Sequence, residues 1–289
     1  MAKESIGLVT DEASEISDEW AKENQIEVVK AEVNWPYFNI EEIPGENIFD
    51  KMTEADKQGK KVVVKTALSN LAGFKKAFET QLEKYDKVLY IAVSSKLSGA
   101  INGAFQMRNL LKEKERIFIF DSFSGSSGEG LFVLRAKELI DQGMEINDIL
   151  NELNKLKPKV KVVAFFQDPK WVVASGRVSK TAGEWIRRIK KWGFQPVIRI
   201  KDGQAISGGI VKAHNEIEAI LKIIERFKKR SQKKLRVFIS HGGITNQAKE
   251  LTKELEKLEI EVPMVTMASL VVAGHTGPGT IICGWHELD

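Results

Sequence analysis

Val88-Leu89-Tyr90-Ile91-Ala92-Val93, followed at once by Ser94-Ser95-Lys96-Leu97-Ser98-Gly99-Ala100-Ile101-Asn102, is the stretch that decides the fold. A short, fully apolar run rich in β-branched and aromatic residues is the pattern of a strand buried on both faces. It breaks into small hydroxyl residues and a glycine, then into a helix-start pattern. At such a strand-to-helix corner the helix presents unpaired N–H groups, and the hydroxyls of Ser94, Ser95 and Ser98 add donors. The corner reads as an anion cradle, suited to phosphate as well as carboxylate.

The same theme repeats through the N-terminal half. Apolar runs at 6–9, 28–33, 62–64, 88–93 and 117–120 predict strands. Amphipathic stretches such as Phe74, Ala77, Phe78 and Leu82 between them predict helices. Alternation of this kind predicts a mainly parallel α/β sheet with flanking helices. Polar corners follow the runs: Thr10-Asp11, Thr66, Ser94-Ser95 and Asp121-Ser122. Each alone is accounted for as a helix N-cap. Together they make a candidate site, because the carboxyl ends of such strands share one edge. Helical patterns at 130–142 and 146–156 lead to Lys157-Pro158-Lys159, read as a domain boundary that divides the chain into 1–157 and 158–289.

The second half predicts an α+β domain with a mixed or antiparallel sheet. A strand at 160–166 precedes Asp168-Pro169, an N-cap and first-turn proline for a short helix ended by Gly176. Trp185, Ile186, Ile189 and Trp192 recur at helical spacing and read as a core-facing stripe, with Arg187, Arg188, Lys190 and Lys191 on the solvated side. Asp202-Gly203 signals a hairpin between strands at 197–200 and 205–211. Helices through Ile217–Phe227 and Leu251–Leu258 alternate with strands at 235–240, 264–268 and 280–285.

Composition narrows the function classes. A hydrophobic share of 43% and a charged share of 29% are those of a globular chain, and a formal charge of +4 is too small to imply nucleic acid. The basic runs at 187–191 and 228–234 read as solvated helix faces, since no aromatic residues interleave the second. No stretch approaches the ~20 apolar residues of a membrane span, and the cytoplasm is the expected location. The single cysteine, Cys283, lies in an apolar run and reads as a buried hydrophobe.

The most unusual local sequence is Gly274-His275-Thr276-Gly277-Pro278-Gly279, read as a connection between the last two strands. Its glycines permit close approach by another group. His275 is either a ligand-binding imidazole or a turn residue held by its own hydrogen bonds. The four histidines never fall at metal-ligand spacing, so no metal is expected. Neither a Walker loop nor a dinucleotide fingerprint is present, and no cofactor is expected. No Gly-x-Ser-x-Gly elbow is present, which counts against a hydrolase; a serine-dependent acyl hydrolase, or a phosphoryl-transfer protein using the Ser94-Ser95 corner, is the alternative class.

These motifs, with Gly176-Arg177-Val178-Ser179 and Pro196, resemble in order and spacing those of the DegV family over nearly the whole chain. The resemblance implies a two-domain fatty-acid-binding protein, not itself an enzyme, with a long-chain fatty acid in a tunnel between the domains. Some members act as the binding subunit of bacterial fatty acid kinase, presenting the carboxylate to a separate catalytic subunit. By the family pattern Thr66, Ser94, Ser95 and His275 would contact the carboxylate. Ser98, Gly99, Arg177, Thr276 and Gly277 would lie near the head group or a partner surface. Transient membrane contact for lipid loading is also implied. One departure stands out: Ala67 and Leu68 follow Thr66 where the family commonly has serine and glutamine.

Overall fold

The structure, a computed structural model, describes residues 4–62, 64–67, 71–174 and 180–288. The chain divides into two compact units and crosses between them more than once. One comprises Met1–Glu32, Ala67–Val160 and Lys201–Gln204; the other comprises Val33–Thr66, Lys161–Ile200 and Ala205–Asp289.

The first unit is built on strands β1 (Ile6–Asp11), β2 (Glu27–Val29), β5 (Lys87–Ala92) and β6 (Ile117–Asp121), in the order β2-β1-β5-β6 and all parallel. Helix α1 (Asp18–Glu23) precedes β2, capped by the Ser17 hydroxyl. Helices α3 (Leu71–Leu82) and α4 (Ala100–Leu110) supply Phe74, Phe78, Ile101, Ala104 and Met107 to a core shared with Val9, Val88 and Tyr90. Helix α5 (Ser127–Asp141) packs on β1 and β5, with Phe132 against Phe120, and α6 (Ile146–Leu156) packs on α5. The strand order reverses between β1 and β5, which makes their carboxyl ends the switch point of this sheet. The predicted helix at 130–142 begins three residues earlier, and the predicted strand at 28–33 is broken, continuing as the separate β3 (Glu32–Asn34).

Strand β3 pairs with β4 (Lys65–Ala67) in a two-stranded sheet of its own. The strand expected at 62–64 therefore forms slightly later and does not join the parallel sheet; Val63 lies outside the described residues. The reason is packing. Trp35, Ile40, Ile43, Phe49, Met52 and Val64 form one apolar cluster with Trp171 and Ala273, which draws the segment containing α2 (Ile48–Lys57) into the second unit.

That unit carries a six-stranded mixed sheet in the order β11-β10-β12-β7-β8-β9. Its strands are β7 (Lys161–Phe165), β8 (Phe194–Lys201), β9 (Gln204–Lys212), β10 (Leu235–His241), β11 (Glu261–Met267) and β12 (Ile281–Glu287). β10 runs parallel to β11 and antiparallel to β12, and β7 is antiparallel to both of its neighbours. Helices α9 (Glu216–Ser231) and α10 (Thr245–Lys257) cover one face through Ile217, Ile220, Ile224, Leu251 and Leu255. Cys283 is fully buried in the same core, and burial pushes its thiol up. The expected hairpin turn at Asp202-Gly203 is present, both residues having positive φ.

The short helix α7 (Lys170–Ala174) precedes α8 (Lys180–Lys191), and the short helix α11 (Leu270–Thr276) lies between β11 and β12. The stripe expected on α8 is half correct. Ile186 and Ile189 are buried at 6% and 7% exposure, but Trp185 and Trp192 are exposed at 48% and 74%. At 100° per residue the two tryptophans share a direction roughly 80° from the centre of the isoleucine face.

The glycines of the 274–279 motif do structural work at two positions. A Cβ on Gly274 would lie 2.7 Å from a Val64 methyl, and one on Gly277, whose φ is +79°, would be driven into the Trp171 ring. Gly277→Ala should therefore cost roughly 2–4 kcal/mol, conformational strain and overpacking together. Gly59→Ala, at φ +72° in open space, should cost about 1 kcal/mol. Urea unfolding midpoints of the two variants measure the difference, and equal costs would remove the Trp171 contact from the account.

Candidate ligand-binding site

The first unit brings three of the four expected corners to one edge. At the switch point the carboxylate of Asp11 ends β1 and is buried. Its Oδ2 accepts from the Tyr90 hydroxyl at 2.7 Å and from the Val93 N–H at 3.1 Å, and its Oδ1 accepts from the Ala13 N–H at 3.1 Å. Burial raises the Asp11 carboxyl above its ordinary range, and these three donors offset only part of that rise. Where an open α/β sheet commonly receives a ligand's anion, this chain places its own.

The serine corner is consequently not the open cradle that its sequence predicts. The Ser94 N–H donates to Ser124 O at 2.7 Å, and the Ser95 N–H reaches the Asp121 carboxylate at 3.3 and 3.4 Å. The Lys96 N–H donates to Ser94 Oγ, and the Leu97 and Ser98 N–H groups donate to Ser94 O. Ser94 Oγ donates in turn to Gly203 O at 2.8 Å, and Ser98 Oγ accepts from Ala100 N. Gly99 caps α4 without a side chain. Of the three serines, Ser95 alone offers an exposed hydroxyl with no partner among the described residues. Ser94, tied to a carbonyl and to its own turn, is arranged to hold the loop, not to attack a carbonyl carbon.

In the second unit Thr66 meets His275. Because Gly274 has no side chain, Val64 packs directly against it, and two residues later Thr66 Oγ1 lies 3.5 Å from His275 Nε2. The motif lies in the connection between the last two strands, as expected, but its first half is helical. Gly274, His275 and Thr276 are the last turn of α11, and Gly277 ends the helix with its N–H on Ala273 O. The Thr276 hydroxyl donates to Val272 O within the helix, leaving its oxygen able to accept. Arg177, Ser179 and Leu68 lie outside the described residues.

With that geometry in view, the profile of the DegV family of uncharacterised proteins matches residues 5–287. The chain belongs to the DegV family. It is 26% identical over 298 residues to a fatty acid-binding protein of Thermotoga maritima, an alignment spanning 98% of each chain. Among solved structures, a fatty-acid-binding DegV protein of Thermus thermophilus superposes with a TM-score of 0.81 at 24% identity, over 98% of this chain and all of that one. A stearic-acid-binding protein of Eubacterium ventriosum also gives 0.81, at 21% identity and 98% coverage of both.

The structure adds groups that sequence reading missed. Glu129, fully buried in the first turn of α5, accepts from Thr10 Oγ1 at 3.3 Å. Its Oε2 and the buried hydroxyls of Ser124, Ser126 and Ser127 have no partner among the described residues. Ser126-x-x-Glu129 has the spelling of a helix capping box, yet Ser126 has φ +51° and makes no side-chain cap. Burial first, and the nearby Asp11 charge second, hold the Glu129 carboxyl well above its ordinary range. The folded chain thus keeps a proton that the unfolded chain releases above about pH 4.5. Stability conferred by the neutral acid is lost as pH rises from there through the folded pKa, at up to ~1.4 kcal/mol per pH unit. Glu129→Gln should flatten the decline of unfolding free energy between pH 5 and 8 and stabilise the protein at pH 8. Denaturant titrations across that range check it; an unchanged slope would contradict a neutral Glu129.

Proposed function

We propose that the chain binds a long-chain fatty acid in an interdomain tunnel and presents its carboxylate to a separate fatty acid kinase subunit in the cytoplasm, without catalysing a reaction alone. The observation that carries this reading is the approach of Thr66 to His275, 209 positions apart in the sequence, in a chain of the DegV family. A hydroxyl and an imidazole so paired suit an oxyanion that must be held yet stay reachable. The relatives named as fatty acid-binding proteins give that oxyanion an identity, a fatty-acid carboxylate.

The energetics agree. An acyl chain gains ~0.8 kcal/mol per buried CH₂, so an apolar channel supplies affinity. Its carboxylate needs donors when removed from water. In this reading the Ser95 hydroxyl joins Thr66 and His275 at the head group, and Ser94 shapes the corner. Ser98, Gly99, Arg177, Thr276 and Gly277 belong to its surroundings or to the partner-facing surface. No helix among the described residues is long and apolar enough to cross a membrane. Transient contact with a lipid surface for loading is supported by the exposed Trp185 and Trp192 beside Arg188 and Lys191, an aromatic and basic combination favoured at interfaces.

Organic extraction of the purified protein followed by mass spectrometry should release a fatty acid. Repeated absence, with no uptake of added oleate or palmitate, would sink the proposal. Thr66→Ala and Ser95→Ala should each lower oleate affinity roughly tenfold, the worth of one hydrogen bond to a charged group.

A further inference from the structure

Lys157 follows the last residue of α6 and is half-buried. A lysine at a helix end ordinarily turns back to the final carbonyls. Here the ammonium instead lies 4.2 Å from the centroid of the Phe120 ring and 5.2 Å from that of Phe123. It has no hydrogen-bond acceptor and no ion-pair partner among the described residues, so three charged donors face ring surfaces and whatever lies beyond them. Aromatic faces repay part of the lost hydration but accept no proper hydrogen bond. Burial lowers the Lys157 ammonium from its usual range, and the charge of Asp121 opposes that shift.

Phe123 connects this lysine to the serine corner. It is exposed, held at φ +51°, and its N–H donates to Asp121 Oδ1 at 3.0 Å. The same carboxylate receives the Ser95 N–H. A second ammonium, that of Lys96, lies 5.4 Å from the Phe123 ring and donates to Asp202 O at 2.8 Å. Two ammonium groups thus approach the Phe123 ring, next to a carboxylate whose oxygens already serve backbone donors. The local field favours an incoming negative charge.

We propose that Lys157 is an oxyanion-binding residue beside Ser95, receiving the charged head group of the ligand, which rests on the fatty-acid reading of that corner. The shared chemistry is an oxyanion on an acyl chain, either the carboxylate itself or a phosphoryl group attached to it. Lys157 supplies the unpaired cationic donor that Ser95, Thr66 and His275 do not.

Lys157→Met keeps an apolar stem over the two rings and removes the charge. Its affinities for oleate, n-dodecyl phosphate and uncharged oleyl alcohol are compared with those of the unmodified chain and of Lys157→Arg. A roughly tenfold loss for oleate assigns the carboxylate; a loss confined to n-dodecyl phosphate assigns the phosphoryl group. Either result requires unchanged oleyl alcohol binding and recovery in Lys157→Arg. Equal losses for all three ligands, or none for either anion, overturn the proposal. If the unmodified chain binds none of the lipids, the fatty-acid reading fails separately. Inorganic phosphate titrated against the Lys157 ε-carbon resonance then decides: a saturable shift beyond that of sodium chloride at equal ionic strength supports the anion site, and no shift refutes it.

Discussion

The buried carboxylate of Asp11 is the constraint on which the first unit depends. A charge removed from water must be met by donors, and Asp11 takes three: a phenol from within β5, the N–H just beyond that strand, and an N–H of its own following turn. Those bonds lock the carboxyl ends of β1 and β5 together at the point where strand order reverses. They also set the direction in which the chain leaves β5, and with it the position of Ser94 and Ser95. Tyr90 carries part of the same load. Its ring packs edge-on against Phe74 and Phe78 while its hydroxyl serves Asp11, so the helix layer and the polar edge are tied through one side chain.

A corner stabilised in this way has few donors left to offer. Its backbone N–H groups are spent on Ser124, Asp121 and Ser94, which ties the loop down and leaves the exposed Ser95 hydroxyl as its side-chain donor without a partner among the described residues. A preorganised single donor loses little entropy when it meets a ligand, while the bulk of binding energy for an acyl chain comes from its methylenes.

In the second unit the controlling feature is an absence of atoms. Gly274 and Gly277 let Val64 and Trp171 approach the end of α11 more closely than any side chain would allow. That contact delivers β4 to the helix end and sets Thr66 beside His275. The same apolar cluster explains why residues 33–66 leave the N-terminal unit despite their place in the sequence.

Much of this was legible in the residues alone. Period and apolar runs determined the parallel sheet, the mixed sheet, the hairpin at Asp202-Gly203 and most helices, because local patterning reports which faces must be buried. The motifs also sufficed to place the chain in its family. Tertiary structure alone decided the fate of individual polar groups. Ser94 and Ser95 read identically in sequence, yet the hydroxyl of one is consumed by Gly203 and that of the other is exposed, since the acceptor comes from a segment about a hundred residues away. Trp185 and Ile186 are neighbours on one helix, yet only the isoleucine faces the core. Glu129 and Lys157 did carry signals, the spelling of a capping box and a charged boundary segment, but these point to helix ends and not to a buried acid or an aromatic-faced cation. Their character comes from burial and from rings and carboxylates brought together by the fold, which one-dimensional spacing does not encode.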